Sequence, residues 1–170
     1  MNNLVTAFLI LLCVLLTGAS PGSAADLAVP HTDPILSITG SITSTNSPGA
    51  ALFDREMLEA LGTDTIITKT PWFDGETEFS GVRLDELLRL VGAQGKSVTA
   101  VALNDYVTTI PISDFAQYKV ILALKRDGKY MSVRDKGPLF IIYPFDSDSA
   151  LQSQTYFGRA AWQVAKLIVE

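Results

Sequence analysis

The side chains that most often carry catalysis or bind metals are rare in this sequence, which has one histidine, His31, and one cysteine, Cys13. A zinc site draws about four ligands from histidine, cysteine and carboxylate side chains at close spacing. A serine–histidine–aspartate triad would have to use His31, which precedes the first predicted element of the fold. The sequence therefore favours neither a zinc site nor a triad hydrolase.

Carboxylate pairs and glycine-rich loops are the other short motifs that would indicate chemistry. The twelve glycines stand singly, so the sequence has no loop of the kind that cradles phosphate. Close carboxylate pairs occur, among them Asp146 with Asp148 and Asp85 with Glu86. A glycosidase needs two carboxylates on either side of the bond that it cleaves, whereas pairs this close in sequence are usually solvated or cap a helix. They do not by themselves predict an enzyme.

The N-terminus has the features of an export signal. Residues 4–16 form an apolar run broken only by Thr6, shorter than the roughly 20 apolar residues that span a membrane. Small residues follow, and we predict a signal peptide at 1–25 and one domain at 26–170. Cys13 would leave with the signal, so the mature chain would have no disulfide and no thiolate ligand. An uncleaved N-terminal anchor is the alternative.

All charged residues follow the predicted signal, and 13 basic against 18 acidic side chains give a net charge of −5. Such a surface repels phosphate backbones, and no lysine or arginine cluster offsets it. We therefore expect no nucleic-acid partner.

The elements that must position the remaining side chains are mostly strands, without a regular alternation with helices, which predicts an α+β fold. The clearest helix has apolar residues at i, i+3, i+4 and i+7 over 84–91. The segment 26–34 is predicted to be a loose leader, and 146–159 a long polar loop with functional potential. We predict turns at 74–75, 104–105 and 127–128, a second helix at 54–61, strands at 35–42, 63–70, 97–103, 106–111, 120–125, 129–132 and 139–143, and a closing segment at 162–169.

Four segments carry motifs in a fixed order: GVRLDELL at 81–88, NDYVTTIP at 104–111, KGPLFIIYP at 136–144 and WQVAKLIV at 162–169. They are similar, in turn, to the GVPLxxLL, DGYxxxxP, GxPLRxxxP and KWxxxIxV motifs of the molybdopterin-binding domain of the sulfite oxidase family. The likeness covers 35–170. It implies the fold of that family, with mixed sheets and a few short helices.

Two departures from the family pattern concern the cofactor. The family's enzymes hold molybdenum through a cysteine just before a tryptophan, but the matching segment 68–72 reads TKTPW and has no soft thiolate ligand. The arginine of PLR, expected to hold the cofactor phosphate, is Phe140 here. Members that carry molybdenum are typically exported folded through a twin-arginine signal, and this signal contains no arginine. The resemblance therefore implies a non-enzymatic protein without molybdenum.

The chain also resembles small periplasmic proteins of this fold, the PruR-type pterin-binding regulators. These proteins bind their ligand without a metal, so the missing cysteine does not conflict with this resemblance. The resemblance implies that the chain reaches the periplasm by the Sec route and binds a reduced pterin, such as tetrahydromonapterin, without a metal. It implies as partner the periplasmic domain of a transmembrane GGDEF/EAL protein, a cyclic-di-GMP synthase/phosphodiesterase that controls surface attachment and biofilm formation. The alternatives are a molybdopterin-dependent oxidoreductase of the family and a ligand-free interaction module.

A pterin is a flat heteroaromatic ring with adjacent N–H donors on one edge, so it needs an aromatic face and a carboxylate or amide acceptor. Trp72 is predicted to stack on the ring, with a role in the core as the alternative. Asp105 is predicted to accept the donor edge, with Asn104 and Tyr106 beside it, and an ordinary hairpin turn is the alternative. Five residues are predicted at the rim of the site: Arg134, Asp146, Tyr156, Arg159 and Trp162. For Arg159, simple surface charge is the alternative.

Overall fold

The computed structural model describes residues 27–170, and the predicted signal peptide lies outside this part of the chain. The described part contains strands and short helices, which confirms the predicted α+β class. The strands are β1 Leu36–Gly40, β2 Ala50–Phe53, β3 Asp64–Thr70, β4 Phe73–Arg83, β5 Ser97–Ala102, β6 Val107–Pro111, β7 Ile121–Arg126, β8 Lys129–Tyr130, β9 Phe140–Ile142 and β10 Val164–Val169. The helices are α1 Arg55–Glu59, α2 Leu84–Leu90, α3 Ile112–Gln117 and α4 Gln154–Arg159, with 3₁₀ turns at Val133–Asp135, Phe145–Ser147 and Ser149–Leu151.

The strands form two sheets of five strands each. The first has the order β2-β1-β10-β5-β6, and its central strand β10 runs parallel to β1 and antiparallel to β5. The second has the order β3-β4-β7-β8, and β9 pairs with the first half of β7 on the same side as β8. The last strand of the chain thus lies in the middle of the first sheet and ties both ends of the described chain together.

One hydrophobic core joins both sheets and the helices. Side chains alternate between buried and partly exposed along β5, as expected for a strand with one face on the core. In α2, Leu84, Leu87 and Leu88 are buried, while Asp85 and Glu86 occupy the first turn, where the helix dipole favours acidic groups. Gly92 follows the helix with a φ of 61°, and a side chain there would collide with Thr43. The predicted helix at 84–91 is confirmed.

The turn between β3 and β4 differs from the prediction. The chain reverses at Pro71 and Trp72, and Asp74 and Gly75 already belong to β4. The pairing jumps from Lys69–Glu76 to Thr70–Phe73, so Asp74 and Gly75 form a bulge, with Gly75 at a φ of 76°. The predicted turn at 74–75 is therefore wrong, because these two residues form a bulge within β4.

The segment 146–159 is not a loop, contrary to the prediction, because it folds into two 3₁₀ turns and α4. The predicted loose leader is also wrong for 27–34. Backbone N–H groups of His31 and Thr32 donate to the Asp54 carboxylate at 2.8 and 3.0 Å. Asn46 Nδ2 donates to the Ala28 carbonyl, which further holds this segment against the first sheet. Within 27–170, no helix has both the length and the apolar character needed to cross a membrane.

Candidate ligand-binding site

A pocket of about 340 Å³ lies where the β3–β4 turn, the β5–β6 turn and α4 meet. It combines aromatic side chains with exposed backbone and one amide side chain, which is the composition of a site for a flat polar ligand. Its lining residues are Pro71, Trp72, Tyr106, Gln154, Phe157, Gly158, Ala160 and Trp162. We call it the aromatic pocket.

Both tryptophans of the chain line the aromatic pocket. The Trp72 ring lies edge-to-face with Trp162 and with Phe157, at centroid distances of 5.6 and 6.1 Å. Trp72 also packs on the buried ring of Phe140 in β9, at 5.4 Å. These contacts fix the orientation of the indole, and because Trp72 and Trp162 are only half buried, part of each ring is free for a ligand. The two predicted roles of Trp72, in the core and in the site, are thus compatible.

The β5–β6 turn contributes Tyr106 to the pocket. Asn104 Oδ1 accepts a hydrogen bond from the Tyr106 N–H at 3.2 Å, and Asp105 has a φ of 64°, a conformation that aspartate tolerates well. The Tyr106 hydroxyl donates to the Gly158 carbonyl in α4 at 2.8 Å. Asn104 and Asp105 are exposed at this turn, next to Tyr106 in sequence, but they do not line the pocket.

Helix α4 has two faces with different roles. Gln154, Phe157 and Gly158, at positions i, i+3 and i+4, line the aromatic pocket. Tyr156 and Arg159 therefore face away from it, which separates them from the other predicted site residues. The prediction of a loop at 146–159 hid this separation, because the i, i+3 and i+4 spacing places residues on one face only in a helix.

The second face of α4 joins a network of hydrogen bonds around Asp114. The carboxylate Oδ2 of buried Asp114 accepts from Arg159 Nη1 at 2.7 Å and from the Tyr143 hydroxyl at 2.9 Å. Burial raises the pKa of the Tyr143 hydroxyl well above its ordinary value. The Tyr156 and Tyr118 hydroxyls are 3.0 Å apart, and this hydrogen bond raises the pKa of Tyr118 to about 12. The raised pKa values keep the hydroxyls of Tyr118 and Tyr143 protonated at neutral pH. The hydrogen bonds of Tyr156 and Arg159 in this network position α4.

The other rim residues lie in different places. Arg134 is exposed in the 3₁₀ turn Val133–Asp135 and lines neither the aromatic pocket nor the pocket beside it. Asp146 lines that neighbouring pocket. Lys136 was not among the predicted site residues, and its ammonium lies 4.1 Å from the centroid of the Trp162 ring. The structure thus brings Trp72, Tyr106 and Trp162 together.

A larger cavity of about 570 Å³ lies on another part of the surface. Tyr118 is its single aromatic side chain, so it offers no pair of rings for a flat ligand, and it contains none of the predicted site residues. Its lining residues are Asp64, Thr65, Ile66, Gln117, Tyr118, Lys119, Ile121, Pro144, Ser147 and Asp148.

The segment before Trp72 does not fit a thiolate-bound molybdenum. Thr68 is fully buried, and its hydroxyl accepts from the Asp146 N–H at 3.1 Å and donates to the Lys69 carbonyl at 3.4 Å. Phe140, in place of the family's arginine, is also fully buried and has no group to bind a phosphate. Across the described residues, no three histidine, cysteine or acidic side chains are placed to hold a metal ion. No catalytic step through such a cofactor follows from these residues.

Comparison with known proteins identifies the family of the chain. No curated protein matches. The sequence model of the oxidoreductase molybdopterin-binding domain matches residues 55–145, from α1 to the end of the Tyr143–Pro144–Phe145 segment. The match spans more than half of the chain and includes Trp72 and Tyr106, while Phe157 and Trp162 follow it. This chain therefore belongs to the oxidoreductase molybdopterin-binding domain family.

Proposed function

We propose that this protein binds a reduced pterin, of the tetrahydromonapterin type, in the aromatic pocket without a metal and without catalysing a reaction. The observation that carries the proposal is the meeting of Trp72 and Trp162 next to 68–72, the segment that resembles the metal-ligand segment of the family's enzymes but has no cysteine. The aromatic pocket supports the binding of a pterin ring, whereas the residues of 68–72 do not support the binding of a metal.

The pocket offers the two kinds of contact that a pterin requires. Lys136 covers one face of Trp162, so we place the main stacking contact on the open part of Trp72. The adjacent N–H donors of the ring need acceptors, and Gln154 supplies an amide oxygen from the α4 side. Asp105 does not line the pocket, but it is exposed and directly precedes Tyr106, which does. We propose Asp105 as the partner of the donor edge.

We further propose that the protein is a PruR-type regulator. In this proposal it acts in the periplasm, and its pterin-bound state is read by the periplasmic domain of a transmembrane GGDEF/EAL protein that makes or degrades cyclic-di-GMP. Occupancy of the pocket would then control surface attachment and biofilm formation. The proposal rests on the motif resemblance and on the absence of a thiolate from 27–170, which argues against the oxidoreductase alternative.

The test uses the two tryptophans as reporters, because both line the pocket. Anaerobic titration of the purified protein with tetrahydromonapterin should quench the tryptophan emission to saturation at one ligand per chain, with calorimetry as the independent measurement. Trp72→Phe and Trp162→Phe leave a single reporter each, and both reporters should respond.

Tyr130→Phe is the matched control, since this exposed ring lies on β8 and outside the pocket. It should bind as the unchanged protein does. Absence of saturable binding to the folded protein would contradict the proposed function, and a saturable heat of binding without a change in either tryptophan would place the site elsewhere.

A further inference from the structure

A second, smaller pocket adjoins the aromatic pocket. It has a volume of about 240 Å³, and Pro71 and Phe157 line both pockets. The two cavities are therefore neighbours on either side of these two side chains, and we refer to the pair as the cleft. The lining of the second pocket is Lys69, Thr70, Pro71, Phe145, Asp146, Gln152 and Phe157. We call it the polar pocket.

The size of the two cavities suggests that they act together. Ligand sites in proteins typically measure about 300–1,000 Å³. The aromatic pocket is near the lower limit of that range, and the polar pocket is below it. A flat ring fills the first, and a short substituent on the ring would reach across Pro71 and Phe157 into the second.

The polar pocket has the groups that bind hydroxyls. Asp146 is held in place by two hydrogen bonds, because its Oδ2 accepts from the Lys69 N–H and its N–H donates to Thr68 Oγ1 at 3.1 Å. Among residues 27–170, no group donates to its second oxygen, Oδ1. Gln152 Nε2 donates to the Phe145 carbonyl at 3.3 Å, which leaves the amide oxygen of Gln152 without a donor in the same part of the chain.

A hydroxyl both donates and accepts, so a substituent with neighbouring hydroxyls matches these groups. It can donate to Asp146 Oδ1 and to the Gln152 oxygen, and Lys69, which lines the same pocket, is a candidate donor to it. Asp146 and Gln152 are exposed, so water serves their free oxygens when no ligand is bound. A substituent without hydroxyls would form none of these hydrogen bonds and would gain little from entering the pocket.

We propose that the cleft selects reduced pterins that carry a hydroxylated side chain, with the ring in the aromatic pocket and the side chain in the polar pocket. This inference rests on the proposed function and names its class of ligand. Asp146 is the residue that determines the specificity, and Gln152 assists it.

The experiment compares two ligands that share a ring, tetrahydromonapterin with its hydroxylated side chain and 6-methyltetrahydropterin without hydroxyls. The unchanged protein should bind tetrahydromonapterin about tenfold more tightly, the effect of one or two hydrogen bonds. Asp146→Asn keeps an oxygen for the Lys69 N–H and removes the charged acceptor. It should reduce the preference to about twofold, while its affinity for 6-methyltetrahydropterin stays within a factor of two.

Asp148→Asn is the matched control, since Asp148 is two residues away but lines the other, larger cavity. It should keep the tenfold preference. Gln152→Met should lower the preference partially, and it decides the question if Asp146→Asn fails to fold.

Three outcomes would overturn the inference in ways that can be told apart. If the unchanged protein binds both pterins equally, the polar pocket does not select the side chain. If Asp146→Asn weakens both ligands equally, Asp146 only supports the fold of the β3–β4 turn. If neither pterin binds, the proposed function fails and this inference fails with it.

Discussion

Trp72 has a structural role and a proposed binding role, and the two can be separated by substitution. Its ring contacts the rings of Phe140, Phe145, Phe157 and Trp162. Trp72→Ala should lower the free energy of unfolding by about 3 kcal/mol, the lower end of the range for a buried aromatic, because the indole is only half buried. Denaturant unfolding followed by circular dichroism measures this loss.

Trp72→Phe is the companion variant for binding. It should lose less stability than the alanine variant while its affinity for the pterin still falls, because a smaller ring stacks less well. If the phenylalanine variant binds tetrahydromonapterin as the unchanged protein does, Trp72 belongs to the core alone.

Asp54 is a buried carboxylate with a predictable effect on acid stability. Its oxygens accept from the N–H groups of Met57, Thr32 and His31, and these hydrogen bonds, led by that of Met57, lower its pKa from 3.8 to about 2. A carboxylate with a lowered pKa in the folded state stabilises the fold above its ordinary pKa and loses this effect as the pH falls. The contribution of Asp54 should therefore be complete above about pH 4 and disappear between pH 4 and pH 2.

The measurement compares Asp54→Asn with the unchanged protein in denaturant at pH 7 and at pH 2. The asparagine can still cap α1 through its oxygen, but its NH₂ group cannot accept from His31 and Thr32. We expect the variant to be less stable at pH 7, with a smaller gap at pH 2. An equal gap at both pH values would show that the charge of Asp54 contributes nothing.

Elements with a clear local signal could be predicted from sequence, and three short elements without one, β2, α3 and α4, could not. The i, i+3, i+4 and i+7 spacing of four apolar residues located α2, and the Asn104–Asp105 turn located the pair of strands β5 and β6. β2, with four residues, and α3, with six, are too short to show a period, and neighbouring elements supply the contacts that hold them. The same limit hid α4, whose six residues include Gly158 and two polar residues at the start.

The error at α4 had the largest effect on the predicted site. Reading 146–159 as a loop placed Tyr156 and Arg159 at the rim together with Trp162. A helix instead sends these two side chains to Asp114 and Tyr118 on the side away from the pocket. Trp72 and Tyr106 could be selected from sequence because the family motifs mark the turns on which they lie. Gln154 and Phe157 are outside those motifs.

Gly158 allows a test of α4 that removes no contact from the pocket. A methyl group at this position would have only the Tyr106 hydroxyl within 4 Å, at 3.7 Å, which is an ordinary contact. Gly158→Ala should keep binding and raise stability by up to about 1 kcal/mol, since alanine favours the helix. Gly158→Leu should keep the fold and weaken pterin binding at least tenfold, because the larger side chain fills the pocket.

Calorimetric titration with tetrahydromonapterin distinguishes the pair, and thermal unfolding confirms that both variants fold. The alanine variant controls for changes in the helix backbone. Equal binding by both variants would place the pterin away from the α4 face that contains Gln154 and Phe157.

At the scale of the whole molecule, the chain keeps the family's framework, and we propose that the chemistry at its centre has changed. The match over 55–145 covers α1, every strand of the second sheet and strands β5 and β6 of the first, and the two sheets share one core. β10 then returns to the middle of the first sheet and places Trp162, just before it, against Trp72. The framework thus assembles an aromatic pocket from distant parts of the sequence, and this is the pocket in which we propose that the pterin ring binds.

The metal content of the protein tests this view of the whole chain. We predict that protein purified from its native compartment contains no stoichiometric molybdenum, because 27–170 has no cysteine and Phe140 stands in place of the phosphate-binding arginine. Elemental analysis of the purified protein measures it, with a molybdenum enzyme from the same cells as a positive control. About one molybdenum per chain would contradict both the prediction and the proposed function, since the metal would then be held by ligands other than a thiolate. A metal-free protein that retains a fluorescent reduced pterin would instead support a pocket that has kept the ring and lost the metal.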